Sequence, residues 1–487
     1  MSESRRSFIT KISSLFLASF ASGSARAELA GKQQAPKIVA LSADNLYARG
    51  GKDYEAQRQA AVWQAIKPER YPDLIVRASD EADIVDTVNY ARANKLPISV
   101  RCGGHSYVAS PLRKGGILLD VSGMRELTID APKRQAEVQP GVISAEFSAR
   151  LEPHGLGFPI AHCPTVSLGG YLLGGGMGWN GVNWGQFACF NVSAVDLITA
   201  SGERIHASEN SHKDLFWAAR GAGPAFCAIV SKYYLDVFPR PQAITSSTYI
   251  YKLDALEEII SWLEEYKAKQ SEKIELTVIF STSKKEQSTE DSNKRQCIIS
   301  AVCFADDEAE AAELLAAIAA GAPKKACVYC AEYQSKTMQD LLAASVDVIP
   351  HRHAVDTLWT SQSAPVLKQI GEHFLESPSP ETHVFANYRA SSTLKPDAAY
   401  SVSAPMFILS SSTWAEQKND EECLRWSDGL MERLQRYNEG AYVNETDFIR
   451  HPERARQCFS ESSWSRIKTV SEQYDPDAMF SAPFDLG

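Results

Sequence analysis

Two stretches of this chain bring reactive and conformationally permissive residue types close together. The first is Arg101-Cys102-Gly103-Gly104-His105-Ser106. Its glycine pair lets backbone N–H groups face outward after a strand, a concavity that suits a pyrophosphate. A glycine pair alone is equally what a plain turn requires. The second runs from Gly157 to Asn180, where Gly169, Gly170, Gly174, Gly175, Gly176 and Gly178 stand among Tyr171, Leu172, Leu173, Met177 and Trp179. Those are too many glycines for one turn, in a setting too apolar for a linker. The tract reads as backbone against which something flat and large lies, where any Cβ would intrude. A glycine-rich contact between helix and sheet is the plainer alternative. It is not the nicotinamide fingerprint, which opens a helix early in a βαβ unit and places an acid about 20 residues on. No metal site is expected. Cys327-Val328-Tyr329-Cys330 has zinc-like spacing but no second pair, and His351-Arg352-His353 lacks further ligands.

The elements that must hold these residues are legible in the apolar pattern. Leu74-Ile75-Val76 reads as a short buried strand, and Asp80 is placed to cap a helix whose apolar positions are Ile84, Val85, Val88 and Ala91. Further strands are expected at Leu96–Val100, Ile117–Val121, Ala136–Gly141 and Ser193–Thr199. Strand–helix alternation followed by several strands points to an α+β architecture. After Pro239-Arg240-Pro241 the character changes: residues 255–270 and 306–320 look helical, and Ile274–Ser281 and Cys297–Phe304 look like strands. A last helix-rich piece ends in Tyr474-Asp475-Pro476-Asp477, and there is no internal repeat.

The 487 residues carry 50 basic and 60 acidic side chains, a formal charge of −10 with no basic cluster, so nucleic acid is a poor partner. Past the extreme N-terminus no apolar run is long enough to span a membrane. The N-terminus itself reads as an address. Arg5 and Arg6 precede Phe8, an apolar stretch follows around Leu15–Phe20, and Ala25-Arg26-Ala27 makes an A-x-A cleavage site. The adjacent arginines resemble the twin-arginine signal of bacteria, which implies the export machinery as a partner and a periplasmic or secreted destination. Disulfides are permitted there, although the sequence does not say which of its ten cysteines pair.

Four groups of residues, in order, carry a family resemblance: Arg101–Tyr107, Cys163-Pro164-Thr165-Val166 with the glycines after it, Asp214–Pro224, and Tyr442-Val443-Asn444 with Tyr474–Asp477. Together they resemble the berberine bridge enzyme-like branch of the vanillyl-alcohol oxidase (PCMH-type) flavoproteins. The resemblance implies a two-part FAD-binding domain with an inserted α+β substrate (cap) domain and a C-terminal segment returning to the FAD domain. In this sequence that division is 1–27 signal, 28–239 FAD domain, 240–439 cap, and 440–487 returning segment. By the same resemblance His105 bonds the flavin 8α-methyl group and Cys163 ring carbon 6, giving bicovalent FAD. Imidazole nitrogen and thiolate are suitable nucleophiles for an electron-poor ring. Arg101, Cys102, Gly103, Gly104, Ser106 and Tyr107 supply the pyrophosphate loop; Pro164, Thr165 and Val166 belong to the cysteine motif. Gly169, Gly170, Gly174 and Gly175 give close backbone contacts, Ile229 and Val230 lie beside the ring, and Tyr442 and Asn444 stand near its active face. Cys102, Cys189 and Cys227 read as packing.

The implied activity is hydride transfer to FAD from a C–H next to a hydroxyl or amine of a bulky small molecule. Val166 resembles the residue of oxidases, which makes molecular oxygen the acceptor. A dehydrogenase using a quinone or another carrier and a non-catalytic flavin- or ligand-binding protein are the rivals. Relatives carry a second tyrosine after Y-x-N, but here it is Glu445, so the base is Tyr442, the preferred choice, or Glu445 with a carboxyl raised by burial. Ser167 replaces a common glycine and tightens the loop above the ring. Strands at Thr382–Arg389 and Ser403–Ser410 either present Asn387, Tyr388 or Phe407 over the ring or are ordinary sheet residues with alternating faces.

Overall fold

Short apolar runs bounded by turns become the strands of three large sheets, beside a two-stranded ribbon of Leu156–Gly157 and Phe238–Pro239, in the computed structural model, which describes residues 45–283, 295–344, 351–390, 396–480 and 482–486. The expected export signal, residues 1–27, and most of the polar stretch 284–295 lie outside the described residues. In the first sheet Leu74–Arg77, Ile117–Asp120 and Ile98–Arg101 run parallel, with Leu46–Ala48 antiparallel at one edge. Strands covered on both faces read as continuous apolar runs, which is how Ile117-Leu118-Leu119 looks in the sequence. Helix Glu81–Asn94 starts where the Asp80 carboxylate accepts the Asp83 N–H at 3.0 Å, and it turns Ile84, Val88 and Ala91 toward this sheet.

The second sheet is antiparallel, with spatial order Leu127–Asp130, Gln135–Val138, Ala228–Asp236, Val192–Thr199, Arg204–Ser208. Its core takes in Val138, Val195, Leu197, Tyr233 and Leu235, and the late helix Glu461–Tyr474 adds Trp464, Ile467 and Val470. The chain leaves this sheet after Asp236 and opens the third at Ala243, so the turn Pro239-Arg240-Pro241 is where it crosses.

The third sheet has seven antiparallel strands: Cys327–Lys336, Ala243–Lys252, Arg295–Ala305, Ile274–Thr282, His383–Tyr388, Met406–Trp414 and Arg352–Thr360. Helices Leu256–Lys267, Glu308–Ala319, Ser363–Phe374 and Asp420–Leu434 send Leu263, Leu315, Ile370 and Leu430 into the core on one face. Alternation along each strand decides which residues join that core. Leu276, Val278 and Phe280 do, as do Val384, Ala386 and Tyr388, together with Met406 and Ile408. Their neighbours Glu275, Thr277, Ile279, Phe385, Asn387, Phe407 and Leu409 face the opposite way and roof a cavity. Tyr388 therefore belongs to the core, whereas Asn387 and Phe407 look into the cavity. Cys327 and Cys330, whose spacing matched zinc ligands, are joined in a disulfide on the sheet's outer strand.

Candidate active site

The cavity beneath that roof has a volume near 1540 Å³ and is walled on the other side by the 101–107 turn, the cysteine motif, the glycine tract and the strand at Ile229-Val230. This exceeds the roughly 300–1,000 Å³ of an ordinary small-molecule pocket and leaves room for a large flat group plus a substrate. Of the sequence-derived residues, Cys102, Gly103, Gly104, His105, Ser106, Tyr107, Cys163, Val166, Gly169, Gly170, Ile229, Val230, Tyr442, Asn444 and Glu445 line it together. Arg101, Pro164, Thr165, Gly174 and Gly175 stand outside its lining.

The turn is held from behind. Arg101 pairs with Asp120 at 3.0 Å, across the parallel strands that carry them. Gly103 is packed so closely on buried Ser167 that a Cβ there would lie 2.7 Å from the serine Oγ, which is how Ser167 tightens this loop. A Cβ on Gly169, Gly174 or Gly175 would collide with Cys102, Asn444 or Tyr400, so those glycines serve packing within the protein. Gly170 differs: a Cβ there would meet nothing within 4 Å and would enter the cavity.

His105 stacks against Trp63, with ring centroids 5.5 Å apart, and its Nε2 is 3.1 Å from the Thr165 hydroxyl. The same hydroxyl lies 3.4 Å from Cys163 Sγ. Burial, with Arg101's charge adding to it, pulls His105 down to about 4, so the imidazole is neutral at ordinary pH. Trp63 also stacks on His353, 5.1 Å between centroids, which is likewise lowered to about 4 by burial and by His351.

The segment bearing Tyr442 and Glu445 is fixed by the outer roof strand Arg352–Thr360. The Tyr442 N–H donates to Thr357 Oγ1 at 3.0 Å, Trp359 N–H donates to the Gly440 carbonyl at 2.8 Å, and Arg454 lies 2.8 Å from buried Asp356. Three N–H groups converge on the Tyr442 hydroxyl oxygen: Gly176 at 3.1 Å, Met177 at 3.4 Å and the Asn444 amide at 3.0 Å. Those donors favour a phenolate, but burial and then the Glu445 charge push the phenol well above its ordinary value. Burial likewise lifts the Glu445 carboxyl to about 7, with His162 acting against it.

The pattern of the sequence did not single out His162, Glu275 and Arg389 as participants. His162 Nε2 meets Glu275 Oε1 at 2.6 Å, bridging the wall beside Cys163 and the roof, and Trp179 packs on the imidazole at 4.4 Å. Burial opposes protonation of His162, yet the charge and hydrogen bond of Glu275 outweigh it and raise the imidazole. Its side chain is 43% exposed, but that exposure is to the cavity rather than the outer surface. Glu275 was visible as one acid on a strand whose alternate residues Ile274, Leu276, Val278 and Phe280 are apolar. Arg389 donates to the Gln186 carbonyl at 2.6 Å and sits 5.0 Å over the Phe187 ring; burial, against the phenols of Tyr400 and its neighbours, lowers its basicity.

The arrangement fits a flavin dinucleotide. Gly170 leaves its face of the cavity open where any side chain would intrude. Residues 72–208 match the family described as FAD binding domain. FAD-linked oxidoreductase janO of Penicillium janthinellum is 29% identical over 88% of this chain and 94% of its own length. Berberine bridge enzyme-like 24 of Arabidopsis thaliana is 31% identical over 43% of this chain and 40% of that protein. The solved structure of 6-hydroxy-D-nicotine oxidase from Arthrobacter nicotinovorans superposes with a TM-score of 0.78 at 20% identity, covering 91% of this chain and 97% of that one. With its α+β architecture and PCMH-type FAD-binding domain, this chain is an FAD-dependent oxidoreductase similar to berberine bridge enzyme-like proteins and 6-hydroxynicotine oxidase.

Proposed function

We propose that the protein is an exported oxidase that removes a hydride from a C–H beside a hydroxyl or amine of a bulky small molecule, with molecular oxygen as final acceptor. The observation that carries this reading is that one cavity holds a neutral His105, Cys163 and a carboxyl, Glu445, poised near neutrality. Bound FAD supplies the two-electron acceptor. His105 and Cys163 would hold it by two covalent links, beneath the roof strands that line the same cavity. Glu445 takes the proton from the substrate O–H or N–H, since a carboxyl near 7 is matched to that task where a phenol raised by burial is not. Tyr442 keeps its proton and orients the substrate beside Asn444. Glu275 raises the His162 imidazole, and His162 in turn acts against the rise of the Glu445 carboxyl.

Phe385, Phe407 and Leu409, interspersed with Glu275 and Asn387, give the roof both apolar area and polar fixtures, which suits a large substrate of mixed character. Val166, on the cavity wall, admits oxygen. Residues 1–27 direct the folded protein through the twin-arginine route. The test starts with acid precipitation: yellow colour must remain with the polypeptide in denaturant. A substrate screen read by anaerobic bleaching of the flavin follows, and then admission of air. Reduced flavin persisting for minutes in air sinks the oxidase reading in favour of a dehydrogenase.

A further inference from the structure

The Thr165 hydroxyl stands between the two side chains that the proposed function uses as attachment points, 3.1 Å from His105 Nε2 and 3.4 Å from Cys163 Sγ. A hydroxyl has one proton, so it cannot donate to both neighbours. The oxygen can accept from both; in two other arrangements Thr165 relays a proton between them. In one, Thr165 donates to His105 Nε2 and accepts from the Cys163 thiol; the imidazole then carries its proton on Nδ1, and the sulfur keeps its own. In the other, His105 Nε2–H donates to Thr165, and Thr165 donates to Cys163 Sγ. Here Nδ1 bears the lone pair and the sulfur is supported as a thiolate, the form that reacts. In these two relay arrangements the hydroxyl couples the states of the two nucleophiles.

We propose that Thr165 is a positioning residue for covalent flavin attachment, arming His105 and Cys163 together through this shared hydrogen-bond chain. The inference rests on the reading of His105 and Cys163 as bicovalent attachment points. Two further observations support it. Burial and Arg101 keep His105 neutral, so it has one ring proton to place and one lone pair to offer. Trp63 stacks on the imidazole at an interplanar angle of 22°, which fixes the ring plane. In each attachment, one hydrogen leaves the imidazole or thiol and one leaves the ring system as the N–C or S–C bond forms. Those two hydrogens and their electrons pass to one dioxygen, giving one hydrogen peroxide per link.

The experiment needs no substrate. Holoproteins bearing Thr165→Val, Thr165→Ala and Thr165→Ser are purified, total FAD is measured, and peptide mass mapping scores the links at His105 and at Cys163. The expected result is a doubly linked fraction reduced about tenfold in the valine and alanine variants, the scale of one lost hydrogen bond, with restoration by serine. Thr165 is exposed, so neither replacement disturbs the core. If valine abolishes FAD binding altogether, the serine–alanine comparison decides. Wild-type levels of both links in the valine and alanine variants overturn the proposal, as does loss at one link only. A serine variant as depleted as valine overturns it too, because the effect is then one of shape. Wild-type protein without covalent FAD overturns the attachment reading and this inference with it; covalent wild type with unaffected variants overturns the inference alone.

Discussion

Glu445 places activity and stability on opposite sides of the same titration. Its carboxyl rises from an ordinary 4.5 to about 7 because burial penalises its charge. A base acts in its ionised form, so substrate-driven flavin reduction should climb with pH through neutrality. Glu445→Gln should flatten that limb and cost about a hundredfold in rate, checked by stopped-flow bleaching. Folding responds with the opposite sign. Between 4.5 and 7 the folded chain holds a proton that the unfolded chain has released, so this group's contribution to stability falls as pH rises. Thermal melts at pH 8 should therefore show Glu445→Gln more stable than wild type, and a less stable variant there would refute the burial argument. His162→Asn removes the charge that restrains Glu445, so the activity limb should move to higher pH. Much of this site was legible because His105, Cys163, Tyr442 and Asn444 sit in motifs of fixed local spacing. The His162–Glu275 contact was not, since it joins residues 113 apart through the placement of a sheet over a loop.

Glycines that look alike in the sequence do different work in their elements, and substitution should separate them. Gly103→Ala pushes a Cβ to 2.7 Å from the Ser167 oxygen and 3.0 Å from its backbone nitrogen, an overpacking expected to cost about 1–3 kcal/mol and to lower the melting temperature. Gly170→Ala meets no protein atom within 4 Å, so the fold should be unaffected while FAD content at purification falls. Equal melting temperatures for the two variants would contradict this division. The helix Glu81–Asn94 and its cap were readable because Asp80 and the apolar spacing are local signals. The faces of the roof strands were not, because alternation says that Asn387 and Tyr388 point apart without saying which one meets helices. The Cys327–Cys330 link was hidden for a similar reason: its spacing alone does not distinguish a metal ligand pair from a disulfide.

Among the described residues, the three large sheets and the returning segment Tyr442–Glu445 converge on one cavity, so its wall and its roof come from distant parts of the chain. If residues 1–27 are the proposed address, Arg5→Lys with Arg6→Lys should leave folded, yellow protein in the cytoplasm, seen by fractionation; unchanged export would remove the twin-arginine proposal. The two-faced roof has a consequence for how such a molecule can change. On Ile274–Thr282, His383–Tyr388 and Met406–Trp414, one set of alternate positions lines the cavity and the other packs into the helix-covered core. Mutational drift at Thr277, Ile279 or Phe385 is therefore nearly decoupled from foldability, whereas the adjacent Val278, Ala386 and Ile408 are constrained by packing. A lineage carrying this sheet can explore new chemistry one alternate residue at a time, and a laboratory library confined to those positions should keep most of its members folded.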